Sequence, residues 1–205
     1  MNLENYGLFL MASFVLWITP GQDTLYIIAR SVSQGRFAGI VSALGIGTGG
    51  LVHAALAIAG ISVIILTSPT LFMLVKISGG LYLIYLGISA LLSNQESTMV
   101  RAIEDVALMK IYAQGVVTNI LNPKVALFFI AFLPQFISSS GSTASLMVLG
   151  VTFVIGGTIW CLIVAYFASS FSLILIQRNS VKKWFSNLSG AVYIGLGVNI
   201  LRAKV

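Results

Sequence analysis

Two short segments, Thr19-Pro20-Gly21-Gln22-Asp23 and Asn122-Pro123-Lys124, each place a helix breaker and an ionisable group inside a long apolar stretch. They occupy corresponding places in the two halves of the chain. Proline removes a backbone donor and clashes with the preceding turn. A charge near the middle of a membrane helix costs roughly 2.5–3.5 kcal/mol on insertion scales. Backbone broken at that depth is tolerated only where other helices or a polar cavity shelter it. Paired interruptions of this kind in an internally repeated membrane protein point to a transporter's binding site.

The surroundings of the breaks must be lipid. Of 205 residues, 58% are hydrophobic and 8% charged, against roughly 25% charged in a soluble domain. Helices are the credible spans, because each satisfies its own backbone, and the alternating pattern of barrel strands is absent. A span needs about 20 apolar residues, and six stretches qualify: 6–29, 39–66, 71–92, 111–137, 146–176 and 184–201. The expected fold class is an all-α polytopic membrane protein, with its first and fourth helices broken near the midplane. Residues 1–95 form a first three-helix unit, 96–110 a polar cytoplasmic connector with room for a short interfacial helix, and 111–205 a second three-helix unit. Met1 to Glu4 carries an acid and no base, so the first apolar run reads as a retained span rather than a signal peptide. Cys161 is the only cysteine, which excludes an intrachain disulfide. The net charge of +6 is spread over segment ends, which fits a membrane protein and not nucleic-acid binding.

Basic residues cluster in alternate connections: Arg30 and Arg36, Arg101 and Lys110, then Arg178, Lys182 and Lys183. The positive-inside rule puts these in the cytoplasm and both termini outside. Arg202 and Lys204 count against that placement, and a five-span reading with a surface-lying last segment would relocate them. The halves also resemble each other. Ile77-Ser78-Gly79-Gly80-Leu81-Tyr82 matches Leu188-Ser189-Gly190-Ala191-Val192-Tyr193, Leu86-Gly87 matches Leu196-Gly197 after a one-residue gap, Leu44-Gly45 matches Leu149-Gly150, and Pro20 matches Pro123. A duplicated unit with an odd number of spans inserts its second copy upside down, giving two inverted repeats.

Thr19 before Pro20 reads as an N-cap with proline at the first helical position, and Gln22 completes a capping-box spacing. Asn122 before Pro123 reads as the same device. Each break then starts a half-helix near the midplane, with free N–H groups and about half a positive charge that attract a carboxylate. Asp23 and Lys124 lie on opposite halves near the pseudo-twofold axis. They can pair with each other or hold the two ends of a zwitterion, and Asp23 is also a candidate to take up and release a proton. His53, the only histidine, reads as a helix-contact residue, and Lys76 as a snorkelling side chain. Trp17 and Trp160 read as packing residues able to wall a cavity. The string Gly45-Ile46-Gly47-Thr48-Gly49-Gly50 imitates a dinucleotide fingerprint without the required strand. It is better read as a small-residue face for close helix packing.

At these residues the chain resembles the LysE/RhtB family of bacterial amino-acid exporters. The family's first-span motif is matched by Thr19-Pro20-Gly21-Gln22-Asp23, with Gln22 where a second proline is usual. Its fourth-span motif is matched by Asn122-Pro123-Lys124, followed by Phe132-Leu133-Pro134-Gln135-Phe136. The third-span pattern is matched by Gly79 or Gly80 with Tyr82, Leu83, Leu86 and Gly87. The resemblance implies an inner-membrane secondary exporter of amino acids or related small metabolites, exchanging them for protons, and a homodimer. The eight residues of the two breaks are the implied substrate-binding or proton-coupling set. No cofactor or metal is expected, and one His and one Cys are poor material for an enzyme. The rival readings are an inorganic cation exporter or channel, for which one intramembrane acid is few, and a scaffold without flux.

Overall fold

The computed structural model describes residues 3–67, 69–92, 105–136 and 143–176, and isolated positions between 187 and 201. The elements are α1 (Leu3–Ile18), α2 (Gln22–Thr67), α3 (Pro69–Leu92), α4 (Leu108–Ile120), α5 (Pro123–Ala131), a 3-10 turn (Leu133–Phe136) and α6 (Thr143–Ile176). The described positions between 187 and 201 are helical too, and no strand occurs among the described residues. The stretches 6–29 and 111–137 are therefore each divided where the prolines lie: α1 from α2 at 19–21, and α4 from α5 at 121–122.

Two boundaries differ from expectation. The connection holding Arg30 and Arg36 is helical except at Gly35 (φ 82, ψ 175), so α2 is two helices joined at one residue. Glycine reaches that positive φ without a Cβ penalty. The Arg30 guanidinium donates to Gln34 Oε1 at 2.9 Å one turn on, which keeps the turn before Gly35 helical. At the other boundary, α4 opens at Leu108, inside the stretch read as connector. Residues 93–104, the side chain of Lys76, and the basic residues Arg178, Lys182, Lys183, Arg202 and Lys204 lie outside the described residues.

Among the described residues two helical stretches are each long and apolar enough to cross a membrane, Gln22–Gly60 and Ala144–Ala168. Along α6 the outward residues Met147, Val151, Ile155, Ile159, Ile163 and Phe167 recur at four-residue steps. At 1.5 Å per residue this apolar face runs about 30 Å, the thickness of a bilayer's hydrocarbon.

Between helices in lipid, cohesion comes from close packing rather than from the expulsion of water. α2 supplies it on two faces. Gly45 meets the Tyr112 carbonyl and Gly115 of α4, and Gly49 meets the Asn119 side chain. Gly47 and Gly50, on the other face, meet Thr158 and Val154 of α6. The small-residue face expected from Gly45 and Gly49 packs on α4, and the string's other glycines add a second face on α6. α1, α5, the 3-10 turn and α6 share an aromatic core of Phe9, Phe128, Phe129, Phe132, Phe136 and Phe153. Its tightest ring pairs are Phe128–Phe153, with centroids 4.4 Å apart, and Phe128–Phe132 and Phe132–Phe136, each 4.6 Å apart.

α3 meets the C-terminal helical positions through backbone. A Cβ on Gly87 would lie 2.7 Å from the Gly190 carbonyl, and one on Gly197 would lie 2.6 Å from the Gly80 carbonyl. The contacts run antiparallel, since the higher number on one side meets the lower on the other. Gly80 and Gly190 are separated by the same interval as Gly87 and Gly197. Exchanging the two segments therefore turns one contact into the other.

Candidate functional site

The two breaks meet and clasp each other. Asp23, just past the first break, accepts at Oδ2 from the side-chain amides of Asn119 at 2.8 Å and Asn122 at 3.0 Å, both at the second break. Lys124, just past the second break, donates from Nζ to the Thr19 carbonyl in the first at 2.7 Å. Asp23 and Lys124 thus spend their hydrogen bonds on the opposite break rather than on each other. Helix dipoles favour both placements. The acid sits in the first turn of α2, and the ammonium meets a carbonyl at the C-terminal end of α1, where the partial charge is negative.

The second break forms as its sequence predicts. Asn122 is extended, its Oδ1 accepts from the Lys124 N–H at 3.0 Å, and Pro123 follows in the first helical turn. The first break does not. Thr19 does not stand at the N-cap position, since α2 opens three residues later at Gln22; its hydroxyl donates to the Val15 carbonyl at 2.6 Å, and its N–H donates to the same carbonyl at 3.1 Å. Thr19 therefore closes α1, satisfying an orphan carbonyl of the last turn. α2 restarts at Gln22, and the Gly21 carbonyl takes the first helical bond, from Leu25 N at 3.0 Å. Pro20 lies outside the helix, and the exposed Gln22 closes no capping box.

A cavity of about 70 Å³ opens at the clasp, several times the roughly 10–15 Å³ that one water needs. Thr19, Gly21, Asp23, Asn122 and Lys124 line it. Pro20, Gln22 and Pro123 do not line it and are exposed. The Lys124 side chain runs directly over Gly21, with Nζ 3.5 Å from where a Cβ would stand. Trp17, Trp160 and Cys161 join the wall, with an apolar surface from Leu16, Ile46, Phe153 and Val154.

Asn119 is the residue that sequence reasoning missed. It is 4% exposed and links the site to His53. The imidazole Nε2 lies 3.0 Å from the Asn119 carbonyl, and the ring stacks on Phe129. This is the helix-contact role expected of that histidine. The available signal was spacing: Asn119 and Asn122 are three apart, so they share a side of the chain as α4 ends.

A second polar cluster ties α2 to α4 one turn further along. Tyr26 Oη donates to the Ile111 carbonyl at 2.7 Å. Arg30 donates to Gln114 Oε1 at 2.9 Å, and Gln34 donates to the Val106 carbonyl at 3.0 Å. Among the described residues no group of three or more His, Cys, Asp or Glu side chains is placed to hold a metal ion.

The family model described as LysE type translocator matches residues 14–204 of the chain. The chain is 29% identical over 191 residues to an uncharacterized membrane protein, YrhP, of Bacillus subtilis, covering 88% of this chain and 90% of that one. It is 26% identical over 200 residues to the threonine efflux protein of Escherichia coli, covering 95% and 96%. It is 34% identical over 134 residues to the leucine efflux protein of Salmonella typhimurium, covering 65% and 63%. No solved structure matches.

Proposed function

The chain belongs to the LysE type translocator family, and on that premise we propose that it exports amino acids across the inner membrane in exchange for protons. The reciprocal clasp of the two breaks carries this reading. It brings an acid, an ammonium and unwound backbone from both halves to one cavity. A zwitterion needs opposite charges at one place, and interrupted helices provide them without burying a lone charge. The names of the threonine and leucine efflux relatives point to the same class of cargo.

The cargo's ammonium is held by Asp23 and its carboxylate by Lys124 and the half-helix N-termini. Protonation of Asp23 from the outer side discharges the carboxylate and releases the ammonium, and return of the proton to the cytoplasm resets the site. The motion is a rocking of one inverted three-helix repeat, 1–95, against the other, 111–205, about the fixed clasp. The symmetric approach of α3 to the C-terminal segment supports that duplication.

The test is amino-acid counterflow in liposomes at several pH values, comparing wild type with Asp23→Asn. The variant is expected to lose proton-driven accumulation. Proton dependence equal to wild type in Asp23→Asn would remove Asp23 from coupling. Cation flux with no amino-acid exchange would favour the channel reading instead.

A further inference from the structure

Three buried polar atoms with no hydrogen-bond partner belong to residues lining the cavity: Trp17 Nε1, Asp23 Oδ1 and Asn119 Oδ1. Native interiors seldom leave such atoms unmatched. The set comprises one donor and two acceptors. Lys124 adds further donors, since an ammonium has three N–H groups and the Thr19 carbonyl takes one. An α-ammonium can only donate and a carboxylate can only accept, so the unmatched atoms divide between the two ends of a zwitterion.

Resting on the exporter reading above, we infer that Trp17 and Asn119 are cargo-binding residues: the Trp17 indole N–H donates to the cargo carboxylate, and Asn119 Oδ1 joins Asp23 Oδ1 in accepting from the cargo ammonium.

Both side chains are held in place for this. The Trp17 ring lies against Gly156 and Gly157 of α6. A Cβ on Gly156 would run into the ring, and one on Gly157 would lie 3.1 Å from Nε1 itself. Phe153 braces the same ring, with centroids 5.7 Å apart. The Asn119 amide has one allowed orientation, because its NH₂ donates to a carboxylate oxygen and its carbonyl must therefore turn the other way. Its Cβ would lie 2.7 Å from a Cβ on Gly49, so only glycine there admits it.

The rest of the wall limits the cargo's side chain. Leu16, Ile46, Phe153 and Val154 are apolar, and Asp23 and Lys124 are the charged residues among the lining set. Both are engaged by the cargo's backbone ends, so a basic or acidic side chain finds no counter-charge. Thr24 and Thr158 add hydroxyls to the same wall, so the site suits an uncharged α-amino acid with a small aliphatic or hydroxylated side chain.

The experiment uses the full-length protein in liposomes and labelled leucine counterflow. The competitors are leucine, 3-methylbutylamine, which lacks the carboxylate, and 4-methylpentanoate, which lacks the ammonium. In wild type, leucine is expected to compete at least about tenfold better than either analogue, the scale of one charge-assisted hydrogen bond. Trp17→Phe is expected to weaken leucine by about tenfold or more and leave the amine unchanged. Asn119→Ala is expected to weaken leucine and the amine together and leave the acid unchanged. Equal loss of leucine and amine in Trp17→Phe makes Trp17 a packing residue and overturns the assignment, as does an unchanged response to leucine. If either variant fails to insert, the wild-type comparison decides, because an amine as effective as leucine removes the carboxylate contact. Counterflow of lysine or glutamate without any neutral amino acid overturns the side-chain selectivity. No amino-acid exchange at all refutes the exporter reading beneath it.

Discussion

Asn122 carries two separable interactions, and substitutions that divide them test how the breaks are held. Its Oδ1 caps α5 by accepting from Lys124 N at 3.0 Å, and its Nδ2 donates to Asp23 Oδ2 at 3.0 Å. Removing an N-cap of this kind costs about 1 kcal/mol. A hydrogen bond to a charged partner contributes ~1.5–3 kcal/mol. Asn122→Ala loses both and should destabilise the protein by roughly 2.5–4 kcal/mol. Asn122→Ser retains capping ability, since serine caps about as well as asparagine, but is too short to span to Asp23. It should recover about 1 kcal/mol of that loss. The assay is reversible unfolding of the purified protein in mixed micelles of mild detergent and SDS, followed by tryptophan fluorescence. The reasoning fails if Ala and Ser are equally destabilised, because the cap then contributes nothing. It also fails if Asn122→Ala lies within about 0.5 kcal/mol of wild type, the ordinary scatter of neutral surface changes.

Further consequences follow from other contacts. Gly156→Ala must push the Trp17 ring off its seat, so it should cost roughly 1–3 kcal/mol and abolish counterflow; unchanged near-UV circular dichroism and transport would contradict the seat. His53→Phe loses the bond to the Asn119 carbonyl but keeps the stack on Phe129, so it should cost about 1–3 kcal/mol and leave the pH profile of counterflow in place; a displaced profile would make His53 part of the proton path. Tyr26→Phe removes the bond to the Ile111 carbonyl and should weaken the fold by about 1 kcal/mol, measured by the same unfolding assay. Lys124→Met removes the link to Thr19 and should abolish leucine counterflow, and full activity in that variant would remove the lysine from the site.

Local rules carry far in this chain because the solvent is apolar. The positions of the two breaks and the Asn122 cap depend on residues within a turn of each other, and both are legible without coordinates. The glycine string likewise reads as a packing face from spacing alone, because small residues four apart lie on one side of a helix. The Thr19 cap was misread for a reason of the same local kind. The helix restarts three residues later, at Gln22, so Thr19 ends α1 and donates its hydroxyl back to the Val15 carbonyl.

What the linear order could not supply is the identity of partners far apart in the chain. Asp23 and Lys124 invite a direct ion pair on paper. The packing of α2 against α4 instead gives the carboxylate to Asn119 and Asn122 and the ammonium to the Thr19 carbonyl. Asn119 carries no motif of its own and becomes a site residue only because Gly49 lets α4 approach. Trp17 becomes a wall of the cavity only because two glycines of α6 leave its ring a flat bed. Proline, capping and hydropathy act within a few residues and so belong to the sequence. A hydrogen bond between groups about a hundred positions apart depends on where whole helices cross, and only the tertiary structure decides that.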